Sequence, residues 1–278
     1  MRDTVLATLR YARGDGEKLL TEKPYILTYP TSEGIPWSNF TIDFHPGIKI
    51  HSLRSANLDY NRSGLAMGEL ESCMPPSDFD DESKIESTYL PAVHRCLQKT
   101  LGAKEIYIFD YMIRKRKPEF LKTSPSQDQG PQPALSAHID YTTKEIEERL
   151  QNYFGSKAPE LKNRHFQAIN AWKPLKGPLR DYPLAYCDAS TVNTSTDLMV
   201  TDEVFPNIVN EIYQALYSPA HRWYWIPDQT ETELAIFVGY DSRQEAQLAV
   251  PHCSFDLGHL SEGEPRQSIE VRALVFFD

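Results

Sequence analysis

The sequence predicts a mainly β fold, an antiparallel sandwich or barrel with two or three helices packed outside it. From Arg164 onward, short runs rich in aromatic and β-branched residues alternate with turn-forming residues, which is typical of antiparallel strands. The strands predicted there are His165–Trp172, Leu184–Cys187, Arg222–Ile226, Leu234–Tyr240, Ala246–Phe255 and Ser268–Phe277. Within the same region, the spacing of apolar residues in Phe205–Leu216 indicates one helical insertion.

The first half of the chain adds the remaining predicted elements. Apolar residues recur every four positions in Ser83–Leu101, so this segment should be a helix that ends at Gly102. Pro91 falls inside that helix and should kink it. Lys104–Arg116 is rich in Ile and Tyr and is predicted as a strand. A further helix should begin at Thr142, whose hydroxyl can cap it, with Glu145 completing a capping-box pattern.

Composition limits the class of protein and its partners. We expect residues 1–278 to form a single domain with a core large enough to need no structural metal. The net charge of −10 disfavours nucleic acid as a partner. The one dense basic run, residues 114–117, is interpreted as the solvated end of a strand. Whether the chain forms a homodimer stays open.

The cysteines and the apolar segments indicate the compartment. Four cysteines are scattered without metal-binding or disulfide-type spacing, so reduced thiols in the cytoplasm are expected. Residues 1–14 lack the apolar stretch of a signal peptide. No run of 18 apolar residues that could cross a membrane is present in the sequence.

One loop stands out by its length. Lys117–Pro133 contains four prolines and few large apolar side chains, and it leads directly into the segment around His138. Loops this long within a domain are usually lids or disordered segments. We expect a mobile loop here, either a lid over the site or a simple connection.

The segment containing His138 and Asp140 is the first indication of a metal site. Residues i and i+2 of a strand lie on one face, so these two side chains should point the same way. A second histidine, His252, lies far along the chain in another strand-like run. Two imidazoles and one carboxylate form a facial triad that leaves coordination positions open, as in non-haem iron(II) oxygenases.

A basic residue follows the distal histidine at a useful place. Arg266 and Ser268 share one face of the last predicted strand, where a guanidinium and a hydroxyl can bind the distal carboxylate of a dicarboxylic acid. Two histidines and a carboxylate can also bind zinc in a hydrolase. However, the helical HExxH pattern is absent, and a hydrolase has no need of Arg266 and Ser268.

The motifs resemble those of a fungal and bacterial hydroxylase/desaturase family of secondary metabolism, which includes a cephem-methoxylase subunit and gibberellin-desaturase-like proteins. The matching segments, all but the first in the C-terminal half, are 137–142, 169–175, 183–188, 221–225, 240–242, 251–252 and 266–274. The first hundred residues match little of the family pattern, so substrate identity does not carry over.

This resemblance implies a double-stranded β-helix, a jelly-roll or cupin-like fold, that uses Fe(II), 2-oxoglutarate and O2. It implies hydroxylation, desaturation or oxidative ring closure of a small secondary metabolite or an amino-acid-derived intermediate. His138, Asp140 and His252 match the metal positions of the family. Arg266 matches its cosubstrate arginine.

Other residues near these motifs are weaker candidates. Asn170 and Ser268 are candidates for binding the cosubstrate, as is Arg272, which could instead bind a substrate carboxylate or pair with an acid. The candidate substrate-binding residues are Trp172, Tyr240 and Tyr141. Two further classes of function stay open: a cupin-like metal-dependent hydrolase or isomerase without 2-oxoglutarate, and a non-catalytic partner subunit of an oxygenase.

Overall fold

Two β-sheets face each other and enclose the region where the predicted site residues lie. The computed structural model describes residues 3–14, 19, 21–32, 34–117, 131–243, 248–261 and 263–278. The strands of this part of the chain are β1 Thr4–Arg13, β2 Tyr25–Leu27, β3 Thr41–Ser52, β4 Leu65–Glu69, β5 Glu105–Lys115, β6 His138–Ile139, β7 Phe166–Pro174, β8 Leu184–Cys187, β9 Leu198–Val204, β10 Val209–Ala215, β11 Trp223–Trp225, β12 Glu233–Asp241, β13 His252–Ser254 and β14 Gln267–Phe276. The mainly β class predicted from the sequence is confirmed.

The strand order explains how distant residues meet. One sheet has the order β1-β3-β11-β8-β13-β6-β10-β9-β2, and the other has the order β4-β12-β7-β14-β5. Most neighbouring strands are antiparallel, although β3 with β11 and β2 with β9 are parallel. Because β6 lies beside β13, His138 and His252 stand directly opposite each other.

The α-helices of the described residues cover the outside of the sheets. They are α1 Tyr60–Ser63, α2 Glu82–Lys84, α3 Leu90–Leu101, α4 Thr143–Phe154 and α5 Ala158–Lys162. Among the described helices, none is long and apolar enough to span a membrane. Helix α3 packs with Val93 and Leu97 against the outward face of the five-stranded sheet.

The helix predicted over Ser83–Leu101 is confirmed, with the expected irregularity at Pro91. A single π-helical turn, Ile85–Tyr89, separates α2 from α3, and Pro91 follows in the first turn of α3. Proline lacks an amide hydrogen, so it fits where the helical ladder is already interrupted. Gly102 ends α3 with a φ of 67°, a left-handed conformation that glycine adopts without strain.

The helix predicted over Phe205–Leu216 is wrong. This segment contains the strand β10, which pairs with β9 from Val209–Val204 to Ala215–Leu198. Its apolar residues happen to recur at helical spacing, but Pro206 and Asn207 form the tight turn of a hairpin, closed by the Phe205 amide donating to Ile208 O. The turn and the pairing with β6 override the local pattern.

The start of α4 is confirmed at Thr142, whose hydroxyl accepts a hydrogen bond from the Glu145 amide. The carboxylate of Glu145 does not close the reciprocal half of the capping box. It accepts from the amide of Glu211 on β10 and pairs with Arg149. The cap therefore also ties α4 to the hairpin beside the site. The expectation of a mobile loop at Lys117–Pro133 falls mostly on residues 118–130, which lie outside the described residues.

Lys173 is fully buried on the outward face of β7. Its ammonium group lies 4.9 Å from the ring centroid of Phe79 and 5.3 Å from that of Tyr89. No carboxylate within the described ranges forms an ion pair with it, and its hydrogen bond goes to Pro174 O at 3.4 Å. Burial lowers the pKa of Lys173 to about 8, so the aromatic rings only partly offset the cost of burying the charge.

We predict that Lys173→Met raises the free energy of unfolding at pH 7 by on the order of 1–3 kcal/mol, because one pKa unit corresponds to about 1.4 kcal/mol. The pKa of Lys173 is lowered in the folded chain, so wild-type stability rises between pH 8 and the ordinary lysine pKa. The advantage of the variant should therefore shrink across that window. Urea unfolding at pH 7 and pH 10 measures it, with exposed Lys104→Met as control. A constant difference at both pH values would contradict this account.

Candidate active site

The three predicted metal ligands come together in the structure. His138 lies on β6, Asp140 directly follows that strand, and His252 lies on the neighbouring β13. One ligand atom from each residue lies within 4.8 Å of the other two. The Nε2 atoms of His138 and His252 lie 3.3 and 3.7 Å from Asp140 Oδ1. Strand pairing therefore brings two segments that are distant in sequence to one point between the sheets.

Backbone carbonyls orient both imidazoles. His138 Nδ1 lies 2.8 Å from Ser136 O, and His252 Nδ1 lies 3.2 Å from Val250 O. A carbonyl can only accept, so each Nδ1 carries a hydrogen and each Nε2 faces Asp140. Burial would lower the pKa of His138, but the hydrogen bond to Asp140 and its charge outweigh burial and raise that pKa. Burial and the nearby His138 lower the pKa of His252 to about 3. His252 is therefore neutral, the form that binds a metal.

Asp140 is held in its ionised form. Its Oδ2 accepts hydrogen bonds from Asn170 Nδ2 at 2.7 Å and from Arg272 Nε at 3.1 Å. Burial alone would raise the pKa of Asp140, but Arg272 and the two histidines outweigh it and hold that pKa well below its ordinary value. Two imidazoles and one carboxylate, with Oδ1 facing both rings, fit an iron(II) ion that keeps open coordination positions.

A pocket containing Arg266 adjoins these ligands. His138, His252, Trp172 and Arg266 all line it. Arg266 is 2% exposed, and its Nη1 donates to Tyr182 O and to Ser254 Oγ. Its guanidinium lies 5.4 Å from the ring centroid of Trp172. Burial and the nearby Arg114 together lower the pKa of Arg266 to about 9. An anionic ligand would relieve this cost.

Three buried polar atoms around this pocket have no hydrogen-bond partner among the described residues. They are Arg266 Nε, Ser268 Oγ and Tyr186 OH. Buried polar atoms are rarely left without a partner, because each costs free energy when desolvated. A guanidinium and two hydroxyls together match the hydrogen-bonding needs of a carboxylate. Arg266 Nε and these two hydroxyls are therefore candidate partners for the distal carboxylate of a 2-oxo dicarboxylic acid.

The chain matches one family model over residues 9–276, the model described as YDMC, oxidoreductase/YMDC permease-like domain. It belongs to this family.

Its curated relatives include enzymes of fungi. The alpha-ketoglutarate-dependent dioxygenase tstK of Talaromyces stipitatus is 29% identical over 268 residues, covering 91% of this chain and 96% of the relative. The gibberellin cluster GA4 desaturase of Gibberella fujikuroi is 28% identical over 170 residues, covering 55% and 49%. The structure matches that of the iron and alpha-ketoglutarate-dependent endoperoxidase NvfI with a TM-score of 0.85 at 25% identity, over 100% of this chain and 99% of the other.

These comparisons confirm the resemblance noted from the motifs, including its gibberellin-desaturase-like branch. They also confirm the jelly-roll fold. The enzyme class is that of the non-haem iron(II)/2-oxoglutarate-dependent dioxygenases, with the cofactor and cosubstrates of that class: Fe(II), 2-oxoglutarate and O2. These comparisons concern the enzyme class and do not assign roles to individual residues of the site.

In this family member, Arg272 pairs with acids, one of the three alternatives left open by the sequence. It contacts Asp140, Glu270 at 3.1 Å and Asp110 at 2.9 Å. Asn170 bridges the same group, donating to both Asp140 and Glu270 at 2.7 Å. Both residues therefore contact Asp140, the predicted metal ligand, and a direct role at the cosubstrate stays a prediction.

We predict that Arg272→Met weakens iron(II) binding by roughly 10- to 100-fold, the range found when partners of metal ligands are removed. Without Arg272, Asp140 loses its nearest positive charge and a fixed hydrogen bond. Equilibrium dialysis with iron(II) under argon measures the affinity. Arg243→Met is the matched control, since Arg243 pairs with Asp241 and is not in contact with the triad. Equal affinities for the two variants would contradict the role of Arg272.

The basic run at residues 114–117 was not correctly predicted as a solvated strand end. Arg114 lines the pocket with Arg266 and donates to Gln132 O, and Arg116 pairs with Asp181. Of the two residues of the run that lie on β5, Lys115 alone points to solvent, where it pairs with Asp80. The alternation of side chains along β5 separates the run into inward and outward residues. The period of two was available in the sequence and could have identified Arg114.

The predicted substrate-binding residues fall in two places. Trp172 lines the pocket with Arg266 and His252. Tyr141 and Tyr240 instead line a separate cavity of about 690 Å³, which none of the three metal ligands lines. Gly239 lies between the two places, since a Cβ there would come within 2.9 Å of the Tyr141 ring and 3.4 Å of Asn170 Oδ1. The structure thus places Trp172 in the pocket beside the predicted metal ligands and places the two tyrosines in the separate cavity.

Proposed function

We propose that His138, Asp140 and His252 hold iron(II) and that Arg266, with Ser268 and Tyr186, binds the C5 carboxylate of 2-oxoglutarate. The reaction is the hydroxylation, desaturation or oxidative cyclisation of a small secondary metabolite. The observation that carries this proposal is the triad of facing ligand atoms beside a buried guanidinium and two hydroxyls whose polar atoms lack partners in the described chain.

The chain's own residues perform the positioning in this proposal. When bound, iron(II) together with 2-oxoglutarate and O2 supplies the oxidant that removes hydrogen from the substrate. Ser136 O and Val250 O keep both imidazoles in the metal-binding tautomer. Arg272 and Asn170 keep Asp140 ionised and fixed. Trp172 and Phe237, both almost fully buried, shield the pocket from water, which strengthens the pairing of Arg266 with a carboxylate.

The substrate class rests on what the relatives are named for. They include a gibberellin cluster desaturase and an endoperoxidase, so the fold supports more than one oxidative outcome. A small-molecule substrate fits this class of enzyme. The single domain over residues 1–278, the cytoplasmic location and a homodimer stay predictions, and no contact described above supports the homodimer.

Succinate formation tests the proposed function against a hydrolase or isomerase of the same fold. Purified protein is reconstituted with iron(II) and incubated with 2-oxoglutarate and O2, and succinate is followed by mass spectrometry. We expect slow formation of succinate that requires both iron and 2-oxoglutarate, even before a substrate is known. A metal-dependent hydrolase or a non-catalytic subunit would form no succinate under these conditions.

A further inference from the structure

A row of inward-facing side chains crosses five strands at the metal site. Tyr186 stands opposite His252, His252 opposite His138, His138 opposite Gln214, and Gln214 opposite Met199. Residues directly opposite each other in neighbouring strands point to the same face. The two metal ligands therefore occupy the centre of the row, with Tyr186 on one side and Gln214 on the other.

Both polar groups that flank the ligands lack a partner in the described part of the chain. Tyr186 OH and Gln214 Oε1 are buried without a hydrogen bond, and Gln214 is 4% exposed. Tyr186 lies on the side of Arg266, which the proposed function assigns to the cosubstrate. Gln214 lies beyond His138, on the opposite side of the two ligands from Tyr186.

Glu203 adds a second acceptor to the Gln214 side. Glu203 comes four residues after Met199 on β9. Since every second residue of a strand points to the same side, Glu203 lies on the same inward face as Met199. Its carboxylate makes no hydrogen bond or ion pair to residues that the structure describes. Burial raises the pKa of Glu203, with His138, Asp140, Arg114 and Arg272 as its charged surroundings. A ligand that donates a hydrogen bond would satisfy this group.

We propose that Gln214 and Glu203 form the hydrogen-bonding site for the substrate and that they accept from a hydroxyl or N–H group near the carbon to be oxidised. This inference rests on the proposed function, since it takes the metal and cosubstrate positions from it. It assigns the substrate to compounds that carry a hydrogen-bond donor close to the carbon to be oxidised. Gln214 and Glu203 act as positioning residues, because they orient the substrate relative to the metal without binding the metal.

Matched pairs of probes test the assignment in the wild-type enzyme. The probes are hydroxylated terpenoids and hydroxylated polyketide lactones, each paired with its own O-methyl ether, which keeps the carbon skeleton and removes the donor. The readouts are succinate formation and the visible absorption band of the anaerobic iron(II)–2-oxoglutarate complex. We expect hydroxylated members to stimulate succinate formation and to shift the band, and their ethers to do so at least about 10-fold less well, as expected when a buried acceptor loses its donor.

The variant Gln214→Leu removes the acceptor at nearly constant volume. It should raise the KM of the hydroxylated probe by about 10-fold or more while leaving that of the ether unchanged. Val209→Ala, an exposed residue on the other face of β10, is the control. Equal stimulation by alcohol and ether, an unchanged KM in Gln214→Leu, or no stimulation by any pair would each overturn the inference when the absorption band is present. Absence of the band itself would overturn the proposed function and this inference with it.

Discussion

Replacement of His138, Asp140 or His252 by alanine is expected to abolish iron binding and succinate formation while the protein stays folded. Each residue supplies one of three ligand atoms that lie within 4.8 Å of one another. The two ligands that remain in each variant should hold iron(II) only weakly. Because the reaction takes place at the metal, turnover should fall by more than about 1,000-fold. Metal analysis after gel filtration and a succinate assay measure both quantities.

Circular dichroism provides the check on folding, because the three side chains contribute little to the hydrophobic clusters of the two sheets. His259→Ala is the matched histidine control, since His259 is exposed and lies in a short turn away from the ligands. Full iron occupancy in any of the three alanine variants would remove that residue from the metal site. Loss of iron in His259→Ala would indicate a non-specific effect.

Arg266→Ala is expected to raise the KM for 2-oxoglutarate by roughly 30-fold or more. Removing one partner of a buried, hydrogen-bonded charge pair costs about 2–5 kcal/mol, and each 1.4 kcal/mol corresponds to about tenfold in affinity. The buried position of Arg266 beside two unpaired hydroxyls is the reason for expecting a value in this range. Initial rates of succinate formation over a range of 2-oxoglutarate concentrations give the KM.

The control for this variant is Arg180→Ala, an exposed arginine that pairs with Asp228 on the surface. Its KM should equal that of the wild type. If the KM of Arg266→Ala is also unchanged, the carboxylate binds elsewhere, and the same assay on Arg272→Ala and Arg114→Ala identifies which guanidinium holds it.

Local patterns were sufficient to predict much of the fold. Strands β7, β8, β12 and β14 were placed within a few residues, because their residues are strongly β-forming and turn residues flank them. The hairpin β9–β10 was missed because its apolar residues recur at helical spacing. The turn at Pro206–Asn207 and the pairing of β10 with β9 and β6 distinguish the two structures.

The site divides in the same way. His138 and Asp140 could be paired from the sequence, since i and i+2 share a face of a strand. Tyr186 and Gln214 could not be recognised as site residues, because each lies at the site only through pairing with a histidine on a neighbouring strand. Strand order and register are non-local properties, and no spacing within one segment encodes them. Arg114 is an intermediate case. Its inward direction can be predicted from the two-residue period of a strand, but its position close to Arg266 depends on which strands are neighbours in the sheet.

The most direct measurement of the central claim is the electronic spectrum of the protein with iron(II) and 2-oxoglutarate in the absence of O2. If His138, Asp140 and His252 bind the metal and Arg266 positions the cosubstrate, 2-oxoglutarate chelates the iron and a visible charge-transfer band develops. The band should be absent in Asp140→Ala and should need a much higher 2-oxoglutarate concentration in Arg266→Ala. A wild-type protein that binds iron(II) but shows no band at saturating 2-oxoglutarate would contradict the account.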